Sequence, residues 1–344
     1  MRIGFVVNDI AGETAGYTTT LIAREALARG HAVFYLPVDA FSLGGDDVAA
    51  AHARRPPREA AGSTEALVAA LREAAPERVG LAGLDVLMLR NDPAEDVGAR
   101  PWARLAGVSF ARFAAEAGVI VLNDPDGLAR NLDKLALEHY PAEIRPRSLV
   151  TRELDEVRAF ADETEGAIVI KPLAGSGGRN VFLVRSEDRT NLKQMVRAIL
   201  AEGYVLAQEA LPEAAGGDVR LFLMNGRILD CDGRAAALRR IPKGGEARAN
   251  ISQGAGVEPV EVSDAMRRLA DLVRPRLVAD GLFLVGLDVV GDKLLEINVF
   301  SPGGLGRLAA AGGPDAAPAI VDALERKAAI KARGTWPNGL LATL

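Results

Sequence analysis

The stretch from Gly286 to Asn298 constrains the fold of this chain more than any other part of its sequence. Two apolar runs there flank the polar residues 291–293, a pattern that predicts an antiparallel hairpin with a three-residue loop. With that loop, Asp288 lies directly opposite Glu296, and directly opposed residues share one face of a sheet. Asn298, two residues beyond Glu296, lies on the same face. The hairpin is therefore expected to bring together two carboxylates and an amide oxygen.

Such a group of oxygens is typical of a metal site. Like charges so placed repel each other unless a cation lies between them, and hard oxygen ligands select magnesium or manganese. The alternative is an edge hairpin whose carboxylates are solvated. The apolar runs around Asp288 and Glu296 are typical of strands buried on both faces, so the pattern favours the metal site.

Strand-like and helix-like segments alternate in the first third of the chain. Apolar runs at 3–7, 32–36, 85–89 and 119–122 predict strands, and helical patterns cover 18–28 and 107–117. Strands separated by helices favour a parallel sheet with helices on both faces. Residues 43–75 are rich in Gly, Ala, Pro and Arg, and we expect them to be partly irregular.

The pattern changes after the turn Asn123-Asp124-Pro125. A helix is predicted around 127–138. Strand pairs joined by tight turns then indicate antiparallel sheet, including a hairpin turn at Asn225-Gly226. The chain has 344 residues, more than one compact core normally holds, so two or three subdomains are expected.

Composition excludes several classes of function. The net charge is −5, and no block of like charge indicates a nucleic-acid arm or a polybasic membrane patch. Cys231 is the only cysteine, which excludes an intrachain disulfide, and the three histidines are too scattered to form a zinc site with it. The N-terminal apolar run is too short for a signal peptide, and no stretch approaches the ~20 apolar residues of a membrane span. We expect a cytoplasmic protein that binds neither nucleic acid nor membrane.

A second candidate site follows the apolar run 167–170. Lys171 stands at its end and precedes Gly175, Gly177 and Gly178. Glycines let successive backbone N–H groups turn toward one anion, and the lysine adds a fixed positive charge. The spacing matches neither a Walker A loop nor a dinucleotide fingerprint. A hairpin turn without a ligand explains it as well as a phosphate cradle does, but a neighbouring magnesium site favours a nucleotide.

Two weaker signals lie further along. Residues 208–211 end a strand, and backbone groups freed there could bind an adenine edge, although a plain strand exit is the simpler interpretation. The polar stretch 243–256 carries four glycines and follows Arg239-Arg240. It is typical of a loop that closes over a reaction, which would bring Arg248 or Asn250 toward the substrates, or else of a solvated surface loop.

Together these segments resemble the bacterial glutathione synthetase family of the ATP-grasp superfamily, from the first strand to about residue 302. The segments that carry the resemblance are Leu89-Arg90-Asn91-Asp92-Pro93, Asn131-Leu132-Asp133-Lys134, Lys171-Pro172-Leu173 with its glycines, Arg240-Ile241-Pro242, Gly244-Gly245-Glu246, Arg248-Ala249-Asn250, Gly286-Leu287-Asp288 and Glu296-Ile297-Asn298-Val299.

The resemblance implies an α/β and α+β architecture, the ATP-grasp fold. Its parts would be an N-terminal parallel-sheet substrate domain (1–122), a central lid domain (123–202), a C-terminal antiparallel-sheet catalytic domain (203–328) and a tail (329–344). It also implies a ligase that joins γ-glutamylcysteine to glycine through an acyl phosphate. ATP and two Mg²⁺ ions would be the cofactors, and the assembly a homo-oligomer, either dimer or tetramer.

The family's roles carry over onto matching positions. ATP would be bound by Lys134, Lys171, Gly175, Gly177, Gly178, Gln208, Glu209, Ala210, Leu211 and Asp218. The metal ions would be bound by Asp288, Glu296 and Asn298. Arg220, Arg240 and Asn250 would stabilise negative charge during transfer. The acceptor substrates would contact Arg90, Arg248, Ser301, Gly303 and Gly304.

The chain departs from the family pattern in regions where the acceptor substrates are expected. Ala94 replaces a second proline, and Phe300 to Gly304, followed by Arg307, replaces the usual Thr-Ser-Pro-Thr-Cys stretch. A surplus segment surrounds Cys231, and the Gly-Glu-Thr-Ala-Gly run at 12–16 has no counterpart. The nucleotide and metal segments are intact, so the activation chemistry is better supported than this substrate pair.

Three alternatives therefore remain open. One is a ligase of the same superfamily that joins an amine to a different small acid or peptide, with the choice encoded in the loop that contains Arg307. Another is a nucleotide-binding regulatory protein without catalysis, against which the intact Lys134 and Lys171 argue. The last is a phosphotransferase that acts on a hydroxyl group.

Overall fold

The computed structural model describes residues 1–45, 48–96, 98, 100–175, 178–241 and 256–344. Three of the predicted site residues, Gly177, Arg248 and Asn250, lie outside the described residues. All but the last residue of the loop predicted at 243–256 lies outside them as well.

The N-terminal region forms a mixed sheet with helices on both faces. Its strands are β1 (Arg2–Val7), β2 (Ala32–Pro37), β3 (Phe41–Leu43), β4 (Ala49–Arg54), β5 (Pro76–Gly80), β6 (Val86–Leu89) and β7 (Ile120–Leu122). Its helices are α1 (Thr18–Ala28), α2 (Thr64–Glu73) and α3 (Ala106–Glu116), with short 3₁₀ turns at Arg58–Gly62, Leu81–Gly83 and Pro101–Leu105. The strand order is β3-β4-β2-β1-β6-β7, with β5 paired to β4. Strands β2, β1, β6 and β7 run parallel, as the sequence predicts.

Residues 43–75, expected to be partly irregular, contain more regular structure than the sequence indicates. Strand β4 pairs antiparallel with β2, β3 and β5, and α2 follows it. The alanines of β4 at 49, 50, 51 and 53 are buried. Alanine is depleted in strands, so the sequence of β4 does not predict a strand. Packing against the neighbouring strands stabilises it.

Successive residues of β1 enter different cores, as the alternation of side chains along a strand requires. Phe5 and Val7 pack in a cluster with Ile22 of α1, whereas Val6 belongs to a cluster on the other face with Val108 of α3. Both clusters also contain residues of the C-terminal sheet. The N-terminal and C-terminal regions therefore share their apolar cores.

The central region contains an antiparallel sheet with a core of its own. It comprises α4 (Pro125–Arg130), β8 (Ser148–Thr151), α5 (Leu154–Glu163), β9 (Ile168–Pro172), β10 (Phe182–Val184), α6 (Leu192–Leu200) and β11 (Val205–Glu209), with 3₁₀ turns at Lys134–His139, Ala142–Ile144 and Ser186–Asn191. The strand order is β10-β9-β11-β8. Its core includes Phe160, Ile170 and Val196 and is separate from the two clusters described above. Although β11 pairs within this sheet, the predicted boundary at 202 stays a prediction.

The helix predicted around 127–138 is in fact two helical segments. Helix α4 ends at Arg130, and Asp133 caps the 3₁₀ turn that begins at Lys134 by accepting a hydrogen bond from the Leu135 amide. Aspartate favours such a cap because its side chain competes with the helix backbone for hydrogen bonds.

The C-terminal region is built on an antiparallel sheet. Its elements are a 3₁₀ turn at Pro212–Gly216, β12 (Asp218–Met224), β13 (Arg227–Ile228), β14 (Asp230–Cys231), β15 (Arg234–Ala235), β16 (Ala237–Ile241), β17 (Gly256–Pro259), α7 (Asp264–Ala279), β18 (Leu284–Val290), β19 (Lys293–Asn298), α8 (Leu305–Ala310), α9 (Ala317–Lys331) and α10 (Asn338–Thr343). The order is β17-β16-β12-β18-β19, with β13 paired to β12. The predicted turn at Asn225-Gly226 joins β12 to β13, and both of its residues have positive φ.

The tail docks on the rest of the molecule. Lys327 of α9 is fully buried and donates hydrogen bonds to the carbonyl oxygens of Leu341, Ala342 and Leu344. Asn338 bonds the backbone of Val121 through both its amide oxygen and its amide nitrogen. No helix in the described part of the chain is long and apolar enough to cross a bilayer.

Candidate active site

A cavity of about 1200 Å³ is lined by all three regions of the chain. Every predicted site residue that the structure describes lies on its wall. These residues are Arg90, Lys134, Lys171, Gly175, Gly178, Gln208, Glu209, Ala210, Leu211, Asp218, Arg220, Arg240, Asp288, Glu296, Asn298, Ser301, Gly303 and Gly304. The fold thus brings these residues, which are far apart in the sequence, to one site, while the role predicted for each stays a prediction.

The hairpin formed by β18 and β19 places Asp288 opposite Glu296, as predicted, but its turn is shorter than predicted and one strand contains a bulge. Val290 pairs with Lys293, so the turn contains two residues and the predicted three-residue loop is wrong. A bulge at Leu295 restores the predicted pairing, because the register shifts between Asp288 and Val289.

Two arginines on neighbouring strands hold Asp288. Arg220 of β12 is its cross-strand partner and donates from Nε to Oδ1 at 2.5 Å and from Nη2 to Oδ2 at 2.9 Å. Arg240 of β16 approaches Oδ2 to 2.7 Å and also binds Asp218. Burial by itself would raise the pKa of Asp288, but the two guanidinium groups lower it to about 2. Asp288 is therefore ionised at neutral pH.

Asp218 and Arg240 form the outer part of this network. They are cross-strand partners on β12 and β16, and Arg240 Nε donates to Asp218 Oδ1 at 2.6 Å. Burial raises the pKa of Asp218 to about 6 against the opposing effect of Arg240. These charges neutralise each other in a site where an unpaired charge would be costly.

The hairpin presents to one cavity two carboxylates and an amide, the side-chain types that bind a hard divalent cation. Asn298 Nδ2 lies 3.3 Å from Asp288 Oδ2, and Glu296 faces the same cavity. Among the described residues no group of three or more His, Cys, Asp or Glu side chains has metal-binding geometry. A cation here would therefore take its ligands from two carboxylates and an amide oxygen, and complete its shell with oxygens that the protein does not supply.

Two lysines face the hairpin from the central region. Lys134 Nζ lies 3.9 Å from Glu296 Oε1 and donates to the carbonyl oxygen of Gly175 at 2.6 Å. Lys171 Nζ donates to Gln208 Oε1 at 3.3 Å. Burial lowers the pKa of Lys171, while Glu296 and Asp288 oppose that shift. The lysines form a positively charged wall opposite the carboxylates.

The strand exit after β11 offers fewer free backbone groups than expected. The amides of Glu209 and Ala210 donate to the carbonyl oxygens of Arg147 and Ala167, at 3.0 and 2.9 Å. Leu211, the next residue, is the first whose amide has no hydrogen-bond partner within the described chain.

The segment 301–304 is held between two buried arginines. Arg90 donates from Nη2 to the carbonyl oxygen of Pro302, and Arg220 donates from Nη1 to that of Gly303, both at 3.2 Å. Gly304 has a φ of 117°, a backbone conformation that other residues rarely adopt, and α8 begins directly after it.

Of the N-terminal wall of the cavity, the predicted site residues include only Arg90, although the run at 12–16 was expected near the acceptor substrates. The additional residues there include Asn8, Asp9, Glu13, Tyr17, Thr19, Asp92 and Glu95. They follow the carboxyl ends of β1 and β6, which are neighbours in a parallel sheet. Ligands of open α/β sheets bind at such ends, so this topology was a signal that could have identified them.

The surplus segment around Cys231 does not belong to the site. It forms the β14–β15 hairpin, which packs against α9 and whose Arg234 donates to the carbonyl oxygen of Gly312. None of residues 230–235 lines the cavity. The expectation that this departure bears on the acceptor substrates is wrong.

Solved structures with the same architecture identify the fold. The ATP-grasp ligase PsnB, in complex with minimal precursor, Mg and ADP, matches with a TM-score of 0.60 and 20% identity, over 95% of this chain and 98% of that one. The D-alanyl-alanine synthetase A of Vibrio cholerae matches with a TM-score of 0.57 and 12% identity, again over 95% and 98%. The fold is therefore the ATP-grasp fold.

Sequence comparison then gives the family. The family profile described as prokaryotic glutathione synthetase, N-terminal domain, matches residues 1–129, and the one described as prokaryotic glutathione synthetase, ATP-grasp domain, matches residues 133–313. The glutathione synthetase of Bradyrhizobium diazoefficiens is 34% identical over 91% of this chain and 94% of its own length. That of Agrobacterium fabrum is 32% identical over 95% and 97%. The chain belongs to the prokaryotic glutathione synthetase family.

Proposed function

We propose that this chain is an ATP-dependent ligase that joins the cysteinyl carboxylate of γ-glutamylcysteine to the amine of glycine. The observation that carries the proposal is the convergence of two lysines, the carboxylate hairpin and two buried arginines on one cavity. Transfer of a phosphoryl group needs positioned positive charge and oxygen ligands for a divalent cation, and these residues supply both. The relatives from Bradyrhizobium diazoefficiens and Agrobacterium fabrum are both glutathione synthetases, and they align with nearly the whole of this chain.

In this proposal the central region holds ATP. Lys134 and Lys171 bind phosphate oxygens, and the turn that contains Gly175 and Gly178 closes over them. Leu211 offers its backbone amide to the adenine edge. Asp218 lies at the ribose end, where its bond to Arg240 keeps the side chain fixed.

The hairpin would hold two Mg²⁺ ions, or Mn²⁺ in their place, through Asp288, Glu296 and Asn298. When bound, the ions neutralise phosphate charge and align the phosphates for transfer. Asp288 can bind a cation at neutral pH because its arginine partners lower its pKa and keep it ionised. Removal of divalent ions with EDTA should abolish ADP release, and Mg²⁺ should restore it.

The reaction begins when the acid's carboxylate attacks the γ-phosphate, which gives an acyl phosphate and ADP. The amine then attacks the acyl carbon, and phosphate leaves. Arg220 and Arg240 lie beside the hairpin, where they can stabilise negative charge that develops in both steps. Arg90, together with Ser301, Gly303 and Gly304, forms the wall against which the acid lies.

An ADP-release assay with product analysis by mass spectrometry tests the proposal. γ-Glutamylcysteine, other dipeptides and amino acids are each supplied with and without glycine. We expect rapid ADP and phosphate release only with γ-glutamylcysteine and glycine together, and glutathione as the product. Turnover with another acid would favour a different ligase of the superfamily, and ADP release without phosphate release would indicate a phosphotransferase.

The assembly and location belong to the same proposal. A homo-oligomer, dimer or tetramer, is expected by analogy with the family, and light scattering on the purified chain would measure it. The cytoplasm is the compartment that supplies ATP to such a ligase.

A further inference from the structure

Two of the departures from the family pattern pack on each other in the fold. A Cβ built on Gly306 would lie 2.6 Å from the carbonyl oxygen of Gly16, so the backbones approach more closely than a side chain allows. The Leu305 amide lies 3.4 Å from Thr18 Oγ1. The unmatched run at 12–16 and the unmatched loop at 300–307 therefore form one continuous wall of the cavity.

This end of the cavity, which Arg307 also lines, contains three carboxylates. Asp9, Glu13 and Glu95 all line the cavity, and in the described part of the chain none of them forms an ion pair with a basic side chain. Asp96, close by, is different, because Arg100 pairs with it at 2.8 Å. We call Asp9, Glu13 and Glu95 the acidic wall.

Glu13 indicates that the acidic wall is built for a ligand. The residue is 5% exposed, and its Oε2 is buried without a hydrogen-bond partner in the parts of the chain that the structure describes. A buried carboxylate oxygen without a hydrogen-bond donor destabilises the site, and more so when the carboxylate is charged. A cationic donor supplied by a substrate would remove that destabilisation.

The acidic wall is connected to the reacting end by one charge interaction and a series of hydrogen bonds. Burial raises the pKa of Glu13, and the charge of Arg90 opposes that effect. Arg90 in turn bonds Pro302, and the next residue, Gly303, bonds Arg220, which holds Asp288. Both ends of this series, Glu13 and Asp288, line the same cavity.

We propose that the acidic wall binds a non-reacting ammonium group of the acid substrate, at the end opposite its activated carboxylate. This inference rests on the proposed function and specifies the substrate as a zwitterionic acid. The ammonium cannot be that of the attacking amine, because an amine attacks only in its neutral form and carboxylates would keep it protonated. In γ-glutamylcysteine the matching group is the α-ammonium of the glutamyl residue.

The test compares γ-glutamylcysteine with glutarylcysteine, the same dipeptide without its α-ammonium group. A hydrogen bond to a charged group contributes about 1.5–3 kcal/mol, so kcat/KM should favour γ-glutamylcysteine by about 10–100-fold in the wild type. In Glu13→Gln and in Glu95→Gln this ratio should fall toward 1, while the KM for ATP and the rate with glutarylcysteine stay within about twofold. Glu116→Gln, an exposed carboxylate on α3, is the matched control and should keep the wild-type ratio.

Glu95 is exposed, so its replacement does not depend on the buried core and keeps the test valid if Glu13→Gln folds poorly. Equal use of both acids by the wild type overturns the inference and leaves the proposed function intact. If neither acid supports ADP release with glycine, the proposed function fails. Calorimetric titration of both dipeptides into the wild type with a non-hydrolysable ATP analogue then decides the inference, and equal affinities overturn it.

Discussion

The two ends of the cavity differ in how their charges are compensated. At the hairpin end, Asp288 has two arginine partners and Asp218 shares one of them. At the N-terminal end, no member of the acidic wall forms an ion pair in the described part of the chain, and the charge of Arg90 offsets the raised pKa of Glu13 only in part. Charges that the protein itself pairs are fixed before any substrate arrives, which suits chemistry common to many substrates. Charges left for a substrate to pair decide which substrate binds.

The largest effect is expected from the hairpin end, for Lys171→Met. The change removes a buried positive charge from the phosphate wall, and losses of this kind cost about 10²–10³-fold in rate. ATP affinity should fall as well, because the charge contacts the phosphates before and during transfer. Steady-state kinetics and ATP titration measure both.

The control is Lys193→Met, which removes an exposed lysine on α6 and should behave as the wild type. Normal ATP binding and turnover by Lys171→Met, with both co-substrates present, would show that this lysine has no phosphate role.

Asp288→Asn should have the next largest effect. The amide keeps the size of the side chain but removes the charge that Arg220 and Arg240 pair with, and it weakens a proposed metal ligand. We expect a loss of about 10–100-fold in apparent Mg²⁺ affinity, measured as the Mg²⁺ dependence of ADP release. Asp292→Asn, in the exposed turn of the same hairpin, should leave that dependence unchanged. An unaltered Mg²⁺ dependence in Asp288→Asn would contradict the metal assignment.

Gly306→Ala tests whether the two unmatched segments act together. The added methyl group meets the Gly16 carbonyl, so one backbone must shift, at a cost of about 1–3 kcal/mol. The KM for the acid should rise about 10-fold, while the KM for ATP changes little. Gly62→Ala meets no atom within 4 Å and is the matched control. A larger change in the KM for ATP than in that for the acid would show that the wall does not serve the acid.

The smallest effect concerns pH. Burial raises the pKa of Glu13 to about 7; Asp9 and Glu95 reinforce the shift, and Arg90 and a hydrogen bond from Thr20 oppose it. Tyr35 and Tyr17 are the other titratable neighbours: burial and then Glu13 raise the pKa of Tyr35, and burial followed by the charges of Glu95, Glu13 and Asp9 raises that of Tyr17. Glu13 gains a proton as the pH falls through about 7, and the neutral acid holds an ammonium less well.

The preference for γ-glutamylcysteine over glutarylcysteine should therefore decrease severalfold between pH 8 and pH 6 in the wild type. In Glu13→Gln the ratio should not change with pH. Parallel kcat/KM profiles for the two acids measure this, and a pH-dependent ratio that persists in Glu13→Gln would assign the titration to another group.

The same contrast explains what could be predicted from the sequence. The hairpin end could be predicted because Asp288 and Glu296 interrupt apolar runs. The two-residue periodicity of strands then places both side chains on the same face of the sheet. The loop length was wrong because nothing local marks the bulge at Leu295. The residues of the acidic wall were missed because Glu95 comes near Asp9 and Glu13 only through the pairing of β1 with β6, two strands that are far apart in the sequence. Strand β4 was missed because its alanines have no apolar periodicity.

The central claim is that the hairpin end activates the acid by phosphoryl transfer to its carboxylate. The direct measurement supplies γ-glutamylcysteine with ¹⁸O in both oxygens of the cysteinyl carboxylate, together with unlabelled ATP, Mg²⁺ and glycine, and analyses the released phosphate by mass spectrometry. An acyl phosphate breaks at its acyl carbon–oxygen bond when the amine attacks, so one ¹⁸O should pass into each phosphate. Unlabelled phosphate, formed at the same rate as the peptide product, would contradict the account.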